Sequence, residues 1–144
     1  MKARCILIST ILALISSIAV AGLIQPAPVI VDLDNRFAQG DMWTARTSNN
    51  DVEFIGCGFR EFNDGTGTFE FGFCQAEDVD GNHIVCFTEN PDLVETMRAT
   101  SDFSFITFNW DENDECTKVG FSTQSFYLPN FKVQKGMGTG DDDD

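Results

Sequence analysis

The sequence predicts a mainly β fold: a small antiparallel β-sandwich or partly open barrel with one short α-helix, stabilised by disulfides. Three observations predict it. Phe69, Phe71 and Phe73 recur at a strict spacing of two, the side-chain period of a strand. Asp64-Gly65 and Asp80-Gly81 each break an aromatic, β-branched run with the dipeptide that tight hairpins favour. Cys57, Cys74, Cys86 and Cys116 form an even set placed after an export-like leader.

The leader comes first. Lys2 and Arg4 give a basic start, residues 5–20 are largely apolar, and Ala19-Val20-Ala21 supplies the small-x-small ending of a secretory signal peptide. Residues 1–21 are therefore expected to be removed. The competing reading is a retained anchor, because the apolar run approaches spanning length, but Ser9, Thr10, Ser16 and Ser17 dilute it. Once cleaved, the chain is expected to be secreted or periplasmic, with no remaining membrane segment.

Residues 22–31, with Pro26 and Pro28, read as an extended lead-in. Residues 32–133 are expected to form the β-domain. Within it Gln39-Gly40 reads as a turn, Met42–Thr47 as a strand, and Ser48–Asp51 as a turn. Val52–Phe62 and Thr68–Asp78 read as a hairpin, and His83–Glu89 as the next strand. Asn90-Pro91-Asp92 opens a short helix, with Asn90 as cap, Pro91 at the first position and Asp92 at the positive end of the dipole. Leu93, Val94 and Met97 give it one apolar stripe. Phe103–Trp110 reads as a long apolar strand, Asp111–Glu115 as a charged loop, and Cys116–Leu128 as the closing strand. Residues 134–144 carry no packing side chains and read as a disordered acidic tail.

Hairpin geometry places the cysteines. Centring the first hairpin on Asp64–Gly67 sets Cys57 opposite Cys74. A three-residue loop Val79–Gly81 sets Cys74 opposite Cys86. Three pairings remain open, and spacing does not decide among them. Cys57–Cys74 with Cys86–Cys116 is favoured, because the second bridge would enclose the helix and the long strand. By chain entropy each bridge is worth roughly 3 to 4 kcal/mol. Zinc would want close pairs such as C-x2-C, and none is present.

The formal charge of −14 becomes more negative once Lys2 and Arg4 are lost. It argues against nucleic acid and anionic membrane surfaces as partners. A solvated acidic surface is the plainest reading of it. Asp78, Asp80 and Asn82 have a passing likeness to a calcium loop, and make divalent-cation binding the alternative function. The glycine, however, falls at the fourth position counted from Asp78, not the sixth, and a strand rather than a helix follows. Turn chemistry accounts for the same residues. His83, the one histidine, has no G-x-S-x-G partner motif, so a small hydrolase is the weakest reading. Glu53, Glu61, Glu70 and Glu77 are the carboxylates such a hydrolase would draw on. No phosphate-binding glycine loop occurs, and no cofactor is expected. The fourteen phenylalanines are expected to fill the core; a ring-bearing face left uncovered would instead be a binding surface.

The spacing of Arg46-Thr47-Ser48, Ile55-Gly56-Cys57, Cys74-x-Ala76, Gly81, Cys86, Phe108, Cys116-Thr117 and Ser125-x-Tyr127-x-Pro129 resembles a group of small exported bacterial proteins with one domain after a signal peptide. The resemblance spans residues 42–129 and brings no activity, cofactor or catalytic residue with it. The acidity and the four-aspartate end depart from that group. The expected function is non-enzymatic: a binding or structural protein facing an unknown extracellular or envelope partner.

Overall fold

The computed structural model describes residues 22–129. The expected signal peptide, the last residues of the expected β-domain and the whole of the expected acidic tail lie outside the described residues. Seven strands form two antiparallel sheets. The first sheet takes β1 (Ile30–Asp32), β2 (Phe37–Asp41), β6 (Phe105–Trp110) and β7 (Cys116–Ser122), in that order. The second is the meander β3 (Phe54–Asn63), β4 (Thr68–Glu77) and β5 (His83–Thr88). Helix α1 (Met42–Arg46) follows β2, and helix α2 (Pro91–Arg98) crosses from one sheet to the other. Neither sheet closes on itself, so the two antiparallel sheets form no closed barrel.

The hairpins follow their turn residues. Gly65 and Gly81 both take positive φ, at 86° and 81°. Asp64 Oδ1 accepts hydrogen bonds from the amides of Thr66 and Gly67, closing the first turn. Register sets Cys57 opposite Cys74 and Cys74 opposite Cys86, as the hairpin geometry predicts.

The core lies between the sheets. Ile106, Phe108 and Trp110 project from β6 and Ala38 from β2; Ile55, Cys74, Ala76, Ile84 and Cys86 meet them from the second sheet. Helix α2 continues this cover with Val94 and Met97, both buried. Its start matches expectation: Asn90 Oδ1 accepts from Asp92 N, with Pro91 in the first turn.

Four expectations are corrected. Met42–Thr47 is not a strand, because Asp41, 1 % exposed, caps a helical turn there by accepting from Thr44 N. The same carboxylate accepts from Ala27 N and ties down the lead-in. Gln39-Gly40 is not a turn but part of β2. Gly40 serves close approach instead: a Cβ there would stand 2.9 Å from Val29 Cα. The closing strand ends at Ser122, and Ser125–Tyr127 turns as a 3-10 helix whose Tyr127 ring stacks on Phe105 at 5.4 Å.

The fourth correction concerns the phenylalanines. Among the described residues only Phe108 is fully buried. Phe69, Phe71 and Phe73 share one face of β4, but that face points away from the core; Gly72, Cys74 and Ala76 are the buried set. Gly72 is where α2 lands: a Cβ there would collide with Met97 Sδ and stand 3.4 Å from Val94 Cγ2.

Candidate functional site

The outward face of the second sheet carries an aromatic cluster centred on Phe71. The rings of Phe62, Phe69, Phe73 and Phe87 all lie between 6.0 and 6.4 Å from it, centroid to centroid. Register explains the grouping, since Phe62 faces Phe69 across β3–β4 and Phe73 faces Phe87 across β4–β5. Phe62, Phe69 and Phe87 are each at least half exposed. The Phe73 ring lies across Gly58, where a Cβ would come within 3.1 Å of it, and Arg60 covers it at 4.9 Å. The open part of the face is therefore its Phe62–Phe69–Phe71–Phe87 end.

At the Phe87 edge the face drops into a cleft of about 560 Å³ lined by Phe69, Phe71 and Phe87, by Glu89 just past β5, and by Asp114 and Glu115 of the loop before β7. The wall is held to the floor covalently. Cys86 and Cys116 are bonded, so Phe87 and Glu115, the residues next to them, are brought together. Phe87 N donates to Asp114 O at 3.0 Å, and the two chains form a short parallel bridge there. Asp111 shapes the loop, since its Oδ1 accepts from the amides of Asn113 and Glu115. Those bonds, the Glu115 amide first, hold the Asp111 carboxyl below its usual pKa.

A second concavity, about 530 Å³, lies beside α1 and is lined by Met42, Trp43, Phe54 and Phe103 among others. Trp43 and Phe103 meet edge to face at 6.0 Å, and Phe103 takes a left-handed backbone, φ 60°.

The residues singled out in sequence fall in different places. Cys57 is bonded to Cys74 within the β3–β4 hairpin, and Cys86 to Cys116 between the two sheets. The two bridges indicate an oxidising, non-cytoplasmic compartment. Asp78 is buried, and its carboxylate accepts from the amides of Val31, Asp80 and Asn82 and from Asn82 Nδ2. It organises the β4–β5 turn and latches β1 onto it. Burial pushes its pKa up, but the Asn82 side chain and the three amides outweigh that, and the carboxyl sits below its usual value. Asp80 is exposed and Asn82 half-buried. No three His, Cys, Asp or Glu side chains converge on a metal position among the described residues. His83 is exposed beside Phe54, with ring centroids 5.8 Å apart. Glu61 and Glu70 both pair with Arg98, whose guanidinium lies 4.2 Å over Phe59 on the inner side of the sheet. Glu53 accepts from Asn50 Nδ2, away from them.

The aromatic cluster was visible in sequence as alternation, but not as a surface. The acidic wall was visible as the charged Asp111–Glu115 loop directly before Cys116, but nothing in the sequence set it beside Phe87. No family model, curated protein or solved structure matches the chain, and no described helix is long and apolar enough to cross a membrane.

Proposed function

We propose that this is a secreted or periplasmic binding protein without catalytic activity, and that it docks its partner on the outward face of the β3–β4–β5 sheet. One observation carries the reading: Phe62, Phe69 and Phe87, each at least half exposed, lie on one continuous face around Phe71. Scattered apolar side chains need no explanation on a protein surface, but a contiguous aromatic patch is what interaction sites look like. Phenylalanine also suits such a role, because it gives large contact area with few rotatable bonds to immobilise. The strands beneath are ten residues long in β3 and β4 and cross-linked by Cys57–Cys74, so the rings stand on a rigid base.

The test is photo-crosslinking in the producing cell. A benzoyl-phenylalanine at position 69 or 87 should give defined adducts, while one at Lys118, exposed on the other sheet, should not. Equal yields from all three positions, or no adduct from either sheet position, overturn the reading.

A further inference from the structure

We propose that the cleft at the Phe87 edge takes a basic amphipathic segment of the partner protein. Its apolar side chains lie on Phe69, Phe71 and Phe87, and its lysine or arginine heads meet Glu89, Asp114 and Glu115. The inference rests on the docking reading above and adds the partner's chemistry to it.

Charge complementarity selects this occupant. The cleft joins an aromatic floor to a wall of carboxylates that form no ion pair among the described residues; the salt bridges there all belong to Arg98 on the inner face. A cation entering the cleft would meet two attractions at once, the carboxylates and the ring faces. The protein itself displays the second of these nearby, where Arg60 lies over Phe73. Phe71 and Phe87 offer the same surface one step along the sheet. A second copy of the chain is a poor occupant, since it would bring its own acidic wall and a formal charge of −14. Nucleic acid and anionic lipid are repelled for the same reason. An apolar segment without charge would leave the wall unpaired, and an acidic one would oppose it.

The cleft is also built to keep its shape. The Cys86–Cys116 bond and the Phe87 N to Asp114 O hydrogen bond fix wall against floor, and the two Asp111 bonds hold the wall's own loop in shape. A preformed site of this kind loses little freedom on binding.

The experiment uses the full disulfide-bonded chain and three fluorescent amphipathic peptides. They share one leucine and phenylalanine pattern and differ only in carrying Lys, Gln or Glu at every polar position. Anisotropy titrations should show the Lys peptide binding about ten-fold or more tighter than the Gln peptide, with the gap narrowing as salt is raised. The Glu peptide should be weakest. Glu89→Gln/Glu115→Gln should remove most of the Lys preference and leave the Gln peptide's affinity unchanged. Asp51→Asn, in the other concavity, should leave all three unchanged. Phe69→Ser and Phe87→Ser, each checked for an unchanged far-UV spectrum and intact bridges, should weaken every peptide. Equal binding of Lys and Gln peptides, both lost in the Phe variants, overturns this inference and leaves the docking face standing. A Lys preference that Asp51→Asn reduces as much as the cleft variants do is diffuse attraction, and also overturns it. Peptide binding that neither Phe variant alters, or no binding at all, overturns it too; in the first case the docking face falls with it.

Discussion

Asp78 shows how much one carboxylate can hold. Its oxygens accept from Val31, 47 residues earlier in the chain, as well as from Asp80 and Asn82 in its own turn. Asp78→Ala leaves the Val31 amide without its partner in a buried setting. The expected loss is about 2 to 3 kcal/mol, read as a drop in the urea midpoint at unchanged slope. Acid should act through the same group. A carboxyl whose pKa is depressed in the folded state gives stability that is complete above the ordinary value of 3.8 and is lost as pH falls through the lower folded value. Asp64 and Asp111 are depressed as well, Asp64 first by the Thr66 hydroxyl and Asp111 first by the Glu115 amide. The thermal midpoint should therefore be flat at mildly acid pH and fall below it, and Asp78→Asn should flatten part of that fall. An acid limb identical in wild type and Asp78→Asn would show that Asp78 is not depressed. At this scale the turn was legible, because Asp and Gly announce it locally. The latch to Val31 was not, because nothing near Asp78 in sequence names a donor on β1.

Elements were legible where one local signal dominated and illegible where packing chose between two. Asn90-Pro91-Asp92 started α2 where expected, and Asn90→Ala should cost about 1 kcal/mol in a denaturant melt. Met42–Arg46 alternates like a strand, yet forms α1, because the buried Asp41 is committed to capping it and holding the lead-in. β4 is the most instructive element. Its period of two separated the rings from Glu70, Gly72 and Cys74 without ambiguity, but such a period is symmetric and does not say which face is covered. The larger apolar set was expected inside. The smaller set went inside instead, because α2 and a cross-strand disulfide need the room that Gly72 and Cys74 leave. Gly72→Ala tests this. The new Cβ meets the Met97 thioether, a flexible group confined by burial, so about 1 to 2 kcal/mol should be lost. In a Met97→Ala background the same change should cost close to nothing, a coupling that a double-mutant cycle reads directly.

On the scale of the whole molecule the two disulfides have unequal tasks. Cys57–Cys74 joins strands already paired over the full length of the hairpin, whereas Cys86–Cys116 joins one sheet to the other. Chain entropy alone hardly separates them: loops of 17 and 30 residues are worth roughly 3 kcal/mol and about half a kcal/mol more. Their local consequences differ more. Without Cys86–Cys116, the backbone links left between Phe87 and the wall among the described residues are the Phe87 N to Asp114 O bond and the short bridge around it. Cys86→Ser/Cys116→Ser should thus let the Phe87 amide exchange by local opening, far faster than in the bridged protein. The Ala76 and Ile84 amides, a facing pair whose N–H groups point across β4–β5, should keep protection set by global stability. Cys57→Ser/Cys74→Ser should lower global protection and leave Phe87 no more labile than its neighbours. If Phe87 stays protected in the first variant to the same degree as Ile84, the bridge contributes to stability alone, and the fixed cleft on which a basic partner would seat is held by the sheets without it.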